Sequence, residues 1–262
     1  MRQALEIVRV FFRIGFLNEA AYRANFYAQA LESLVTLGTA LGAVAIVFTQ
    51  TDTLAGWLPE ELVGLLGVYF VVLGGVNLVI SPSLQKFMED VVTGNLDYTL
   101  TKPADSQLLV SVSQVQVWKL IDLGMGVALL AAATVQRWGE LGWRPAAAFL
   151  VAMACGGAIV YSFWIVLATL AFWFIRIENI LQIFWATYMA GRWPVGIYPE
   201  WLRLMLTVVV PVAFAVTVPA EALAGRLSPR MLANAVLLAV ALLAFSRWFW
   251  RRGLRRYSGA SA

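Results

Sequence analysis

Leu62 to Gln107 reads LVGLLGVYFVVLGGVNLVISPSLQKFMEDVVTGNLDYTLTKPADSQ, and the change of character at its centre decides the fold. Leu62 to Ile80 carries no charged residue and is long enough to cross roughly 30 Å of hydrocarbon as a helix. From Ser81 onward the composition turns polar while a helical pattern persists. Leu84, Phe87, Met88, Val91 and Val92 fall at i, i+3, i+4, i+7, i+8 spacing, with Lys86, Glu89 and Asp90 on the other face. Ser81 is placed to cap that helix, Pro82 suits its first turn, and Gly94-Asn95 can end it. A capped amphipathic helix directly after a membrane span either docks on another protein or lies on lipid, and spacing alone fits both.

Composition extends the membrane reading to the whole chain. Its 262 residues are 61% hydrophobic and 13% charged, with a mean hydropathy of +0.78. Soluble domains run near half apolar and a quarter charged, so the expectation is an all-α polytopic membrane protein. The 11 Trp, 8 Tyr and 15 Phe supply anchors for two interfaces. A net charge of +4 does not point to nucleic acid, because the arginines sit at span ends and in the tail. There they read as topology signals and contacts for anionic lipid.

The chain reads as one transmembrane domain, 1–262. Residues 1–28 form an interfacial helix and its lead-in, with Arg2, Glu6, Arg9 and Arg13 on one side. Arg9 and Arg13 interrupt any signal-peptide core. Six spans follow at about 31–49, 62–80, 108–135, 146–174, 201–218 and 231–250, each near the crossing length of about 20 residues. Gly191, Pro194, Gly196 and Pro199 break any helix before the fifth. One set of loops and ends carries Arg2, Arg9, Arg13, Arg23, Lys86, Lys102, Arg176, Arg192, Arg203, Arg247, Arg251, Arg252, Arg255 and Arg256. The opposite set carries Arg137, Arg144, Arg226 and Arg230. The positive-inside rule then places both termini, and the 82–93 helix, in the cytosol.

Several chemistries are missing. There is no histidine and Cys155 is the single cysteine, which removes His-based catalysis, Cys/His metal sites and an intrachain disulfide. Cys155, in AMACGGA, reads as a small packing residue. The lysines Lys86, Lys102 and Lys119 follow Gln85, Thr101 and Trp118, so no Walker A loop exists. No catalytic, metal or cofactor site is expected. If ATP drives this protein, another polypeptide hydrolyses it. Lys119 and Asp122 are three residues apart on the third span and can pair on one face. Their early position favours a structural pair over a proton relay, and Glu32 is similarly peripheral. Gly38 and Gly42, Gly64 and Gly67, Gly74 and Gly75, and Gly124 and Gly126 allow close helix approach.

YRANF (Tyr22 to Phe26), TGNLDYTLTKPAD (Thr93 to Asp105) and YPEWLRLMLTVVVPVAFAVTVPAEALAG (Tyr198 to Gly225) carry a family likeness. With them the chain resembles the ABC-2-type transporter permeases, membrane subunits of one class of ABC exporters, and in particular a bacterial subfamily of this length. The resemblance implies a plasma-membrane complex of two permeases, identical or not, with two ATPase subunits that hold ATP and Mg. It makes 82–93 the coupling helix seated in an ATPase groove. Leu84, Lys86, Phe87, Met88, Glu89, Asp90 and Val91 would act in the helix, with Phe87 filling an ATPase pocket. Gly94, Asp97, Lys102 and Pro103 would act in the turn that follows. The alternative is an ion-coupled carrier or channel that works without an ATPase, through Lys119 and Asp122.

Overall fold

The structure, a computed structural model, describes residues 2–20, 23–135, 142–174 and 186–257. Among these residues there are helices and connecting turns, with no β-strand. The molecule is an all-α polytopic membrane protein.

Helix α1 (Arg2–Ala20) precedes α2 (Arg23–Phe48). The first span is therefore longer than expected, because the lead-in from Arg23 is already part of its helix. At the far end of α2 the chain turns through Ala55 (φ 51°) and Gly56 (φ 80°), a tight reversal closed by reciprocal backbone bonds between Leu54 and Trp57. Helix α3 (Pro59–Gly75) starts there. Its first turn is held by Glu61, whose Oε2 accepts the Leu58 N–H at 3.0 Å.

The expected cap at Ser81 is not formed. Ser81 is itself helical (φ −59°, ψ −52°). Helix α3 runs through a π-turn at Val76–Ile80 into α4 (Ser81–Thr93), giving one helix from Pro59 to Thr93. Pro82 lies inside it, where a proline normally breaks a helix by removing a donor and crowding the carbonyl four residues earlier. Here the widened turn precedes the ring. The freed Leu78 carbonyl instead accepts the Gln116 N–H at 2.8 Å. Ser83 Oγ adds to the same seam, donating to the Gln114 carbonyl (2.9 Å) and accepting its N–H (3.0 Å).

That seam corrects the third span as well. Its expected start at 108 belongs to a separate short helix, α6 (Ser106–Ser111), which follows α5 (Leu96–Leu100). Residues 112–116 leave helical geometry to serve Leu78 and Ser83. The span itself is Val117–Val135, a 3₁₀ turn leading into α7 (Leu120–Val135). Sequence periodicity could not see a break whose cause lies across the bundle.

Helices α3 and α7 touch along their length through glycines. A Cβ on Gly126 would stand 2.6 Å from the Val71 nitrogen, and one on Gly74 would stand 2.8 Å from that of Leu123. Backbones this close maximise dispersion contact where lipid supplies no hydrophobic drive. Gly38, Gly42, Gly75 and Gly124 face open space in this chain. Helix α8 (Trp143–Thr169) follows, with Cys155 buried in a cluster with Ala152, Ile159, Phe214 and Ala235. A Cβ on Gly156 of α8 would meet the Phe214 carbonyl at 2.9 Å.

The expected fifth span, 201–218, is a broken one. Glu200–Val209 (α9, Glu200–Leu204, ending in a π-turn) meets Ala213–Leu223 (a π-turn, then α10, Val218–Leu223) at 80°. Pro211 has no N–H to continue a helix and pushes Val210 to extended geometry (φ −117°, ψ 97°). Pro219 repeats the device seen at Pro82, a proline two residues beyond a π-turn. The last helix, α11 (Pro229–Leu254), is capped by Ser228 Oγ, which accepts the Met231 N–H at 3.2 Å.

Two clusters mark the ends of the bundle. At one, Arg226 donates to the Gly56 carbonyl (2.6 Å), pairs with Glu61 (2.8 Å) and lies over the Trp57 ring. At the other, the rings of Phe87, Phe172 and Trp250 meet edge-on or tilted. The chain is at the Phe87 end at Phe172 and at the Trp57 end by Arg226, so the segment between them crosses the bundle. Helix α1 also reaches the Phe87 end, where a Cβ on Gly15 would meet the Val115 carbonyl at 2.9 Å. Among the described residues five continuous helices are long and apolar enough to cross a membrane, and the broken segment makes a sixth when its two halves are taken as one span.

Candidate coupling site and polar cavity

The amphipathic stripe of α4 is buried in its own chain. Phe87 is 1% exposed, with its ring 5.0 Å from that of Trp250 and 5.4 Å from that of Phe172. Leu84 and Met88 are buried beside it, Val91 partly so, and Gly253 lets α11 come close enough to hold Phe172. An aromatic cluster of this kind is worth more than its buried area through edge-to-face contacts. The expectation that Phe87 fills an ATPase pocket is therefore corrected: it locks α4 to α8 and α11. An amphipathic pattern says that one face is buried, and says nothing of what buries it.

The opposite face is open. Lys86 pairs with Asp90 (2.9 Å) and Glu89 (3.8 Å) along it. Helical pairs at such a partly open surface add only about 0.3–0.5 kcal/mol, so they define charge more than stability. Gly94 ends the helix at φ 77°, a left-handed position that a side chain would strain. Beyond it Leu96 is fully buried and pins α5, which leaves Tyr98 75% exposed. Lys102 and Pro103 are exposed on the same return, and Asp97 is half-buried.

Sequence reading missed what holds this return in place. Asp105 caps α6 by accepting the Leu108 N–H at 3.0 Å. Arg247 of α11 grips it, donating from Nη1 to Asp105 Oδ1 (2.9 Å) and Gln107 Oε1 (3.0 Å) and from Nη2 to Asp105 Oδ2. The guanidinium holds the Asp105 carboxyl below its ordinary range. The Trp250 indole N–H donates to Ser106 Oγ (3.2 Å), and Tyr161 of α8 bonds Ser111 (2.9 Å). Asp105 before an apolar run was a readable capping signal. Its partners, more than a hundred residues downstream, were not readable.

Lys119 and Asp122 form the expected pair at 3.2 Å. They do not stand alone. They line a cavity of about 480 Å³ together with Glu32 and Ser33 of α2, Tyr69 and Asn77 of the α3 helix, and Arg192. Arg192 lies over the Tyr69 ring, 5.7 Å from its centroid, and its Nε–H points to the Tyr69 hydroxyl at 3.4 Å. Asp122 and Ser33 are buried in the wall, whereas Glu32 is exposed. The isolated arginine in MAGRWP was the readable signal for this site, and the sequence reading had used it only for topology.

Among the described residues no group of histidine, cysteine or carboxylate side chains could hold a metal. No curated protein and no solved structure matches the chain. A family model described as "ABC-2 family transporter protein" matches residues 34–261. That span takes in the broken proline-bearing segment, the α4–α6 return and every lining residue of the cavity except Glu32 and Ser33. Nearly the whole membrane bundle is thereby covered, and the chain belongs to the ABC-2 family of transporter proteins.

Proposed function

We propose that this chain is the permease subunit of an ATP-driven exporter, and that a separate ATPase docks on the outward face of α4 and α5. The observation that carries the reading is the single helix from Pro59 to Thr93. Its Phe87 end is locked to α8 and α11, and its middle supplies Tyr69 and Asn77 to the cavity. A push on the exposed Glu89, Val92 and Tyr98 surface would move the cavity wall as a rigid lever rather than be absorbed at a flexible joint. The absence of a Gly-Lys-Ser/Thr loop in the sequence supports an ATPase on another polypeptide.

In this reading two permeases and two ATPases form the complex in a bacterial plasma membrane, with ATP and Mg held by the ATPase subunits. The lysine- and arginine-rich Phe87 end, and both termini, face the cytosol. The test is enzymatic. The purified chain should hydrolyse no ATP, and hydrolysis should emerge on adding its partner ATPase subunit, together with transport in sealed vesicles. Hydrolysis by the chain alone would overturn the reading. The cavity position of Lys119 and Asp122 favours one alternative, an ion-coupled carrier. Transport that persists without ATP and stops with an uncoupler would establish that alternative instead.

A further inference from the structure

The cavity between α2, α3, α7 and the Ala186–Arg192 segment contains an imbalance of charge partners. Lys119 is neutralised by Asp122 at 3.2 Å. Among the described residues Arg192 has no such partner: no carboxylate of theirs comes within ion-pair distance, and its one side-chain bond to them is the long contact with the Tyr69 hydroxyl. A guanidinium beside the middle of a membrane-spanning helix is costly unless it meets an anion or water, and such residues mark binding sites. Its Nε–H contact with the Tyr69 hydroxyl, beside the ring, orients the group and leaves the terminal N–H donors to fork onto one anion.

The remaining walls specify more than an anion. Phe70 and Leu73 form an apolar floor, and Met189 stands exposed at the mouth with Glu32. A volume of about 480 Å³ is far larger than one phosphate and suits a ligand of several carbon atoms. We propose that this cavity binds an amphiphile through a phosphate group seated on Arg192, with its apolar portion against Phe70, Leu73 and Met189. Tyr69 orients the guanidinium, and Glu32 at the rim repels the anion and so limits its affinity. These lining residues all come from this one chain. The site holds whether the ligand is cargo or a resident lipid, and it does not depend on an ATPase.

The phosphate chemistry is shared by an amphiphile and by free phosphate, and a titration separates them. The full chain, stripped of lipid in dodecyl maltoside, is titrated with octyl phosphate, with inorganic phosphate and with neutral octyl glucoside, following thermal unfolding. Octyl phosphate should stabilise the wild type and the other two should not. Arg192→Gln should weaken octyl phosphate binding at least tenfold, and Arg192→Lys should restore part of it. Glu32→Gln, which leaves the Arg192–Tyr69 contact intact, should tighten it severalfold, and this arm decides the matter if Arg192→Gln does not fold. Equal binding by Arg192→Gln, an unchanged or weaker affinity in Glu32→Gln, or comparable binding of octyl glucoside would overturn the proposal. Inorganic phosphate binding as tightly as octyl phosphate would overturn the amphiphile assignment. No ATPase or ATP is present, so these outcomes are independent of the transport reading.

Discussion

Phe87→Ala should lower the unfolding free energy of the purified chain by about 3–5 kcal/mol, the usual loss when a large aromatic is removed from a closed core. The ring is 1% exposed, and neither Phe172 nor Trp250 can follow it inward, because α8 and α11 are fixed by other contacts. Phe87→Asp should be worse, since its carboxylate would be desolvated without a partner. Transport should fail in both variants because the lever is unpinned. Thermal unfolding in detergent checks this. A Phe87→Asp chain with wild-type stability would mean that the ring faces a partner and not this chain's own core.

Tyr98→Ala should leave the stability of the chain near wild type, because the side chain is 75% exposed. Its effect should fall on ATPase binding instead. Exposed tyrosines buried at an interface are common energetic anchors, and truncating one costs about 2 kcal/mol or more, roughly a thirtyfold loss of affinity. Val92, 60% exposed on the neighbouring face, should contribute less. Co-purification of the ATPase with each variant measures the difference. Comparing Phe87→Ala with Tyr98→Ala separates core packing from docking, since Tyr98→Ala should weaken ATPase binding with stability near wild type.

Helix class and end-to-end order were legible because apolar runs and arginine placement are local signals. The amphipathic stripe from Leu84 to Val91 and the Gly94 stop were legible for the same reason. Three features were not. Pro82 reads as a helix start, and only the Gln116 bond to the Leu78 carbonyl explains why the helix passes through it. That same bond takes 112–116 out of the third span. The 80° break at Pro211 was written as one apolar run, since hydropathy is blind to a missing N–H. At the sites, Lys119 and Asp122 were readable from their spacing, whereas Arg192, Tyr69 and Glu32 meet only after the bundle closes. Arg247 and Asp105 are likewise joined by packing alone.

Photo-cross-linking from the α5 surface tests docking on the Phe87 end most directly. A benzophenone amino acid replaces Tyr98 in one variant and Thr53, beside the Trp57 end, in another. Each is co-expressed with the ATPase and irradiated as an intact complex. Docking on α4 and α5 predicts a permease–ATPase adduct from position 98 and none from position 53. An assembled, ATP-hydrolysing complex that gives its adduct from position 53, or none from position 98, would contradict docking on α4 and α5.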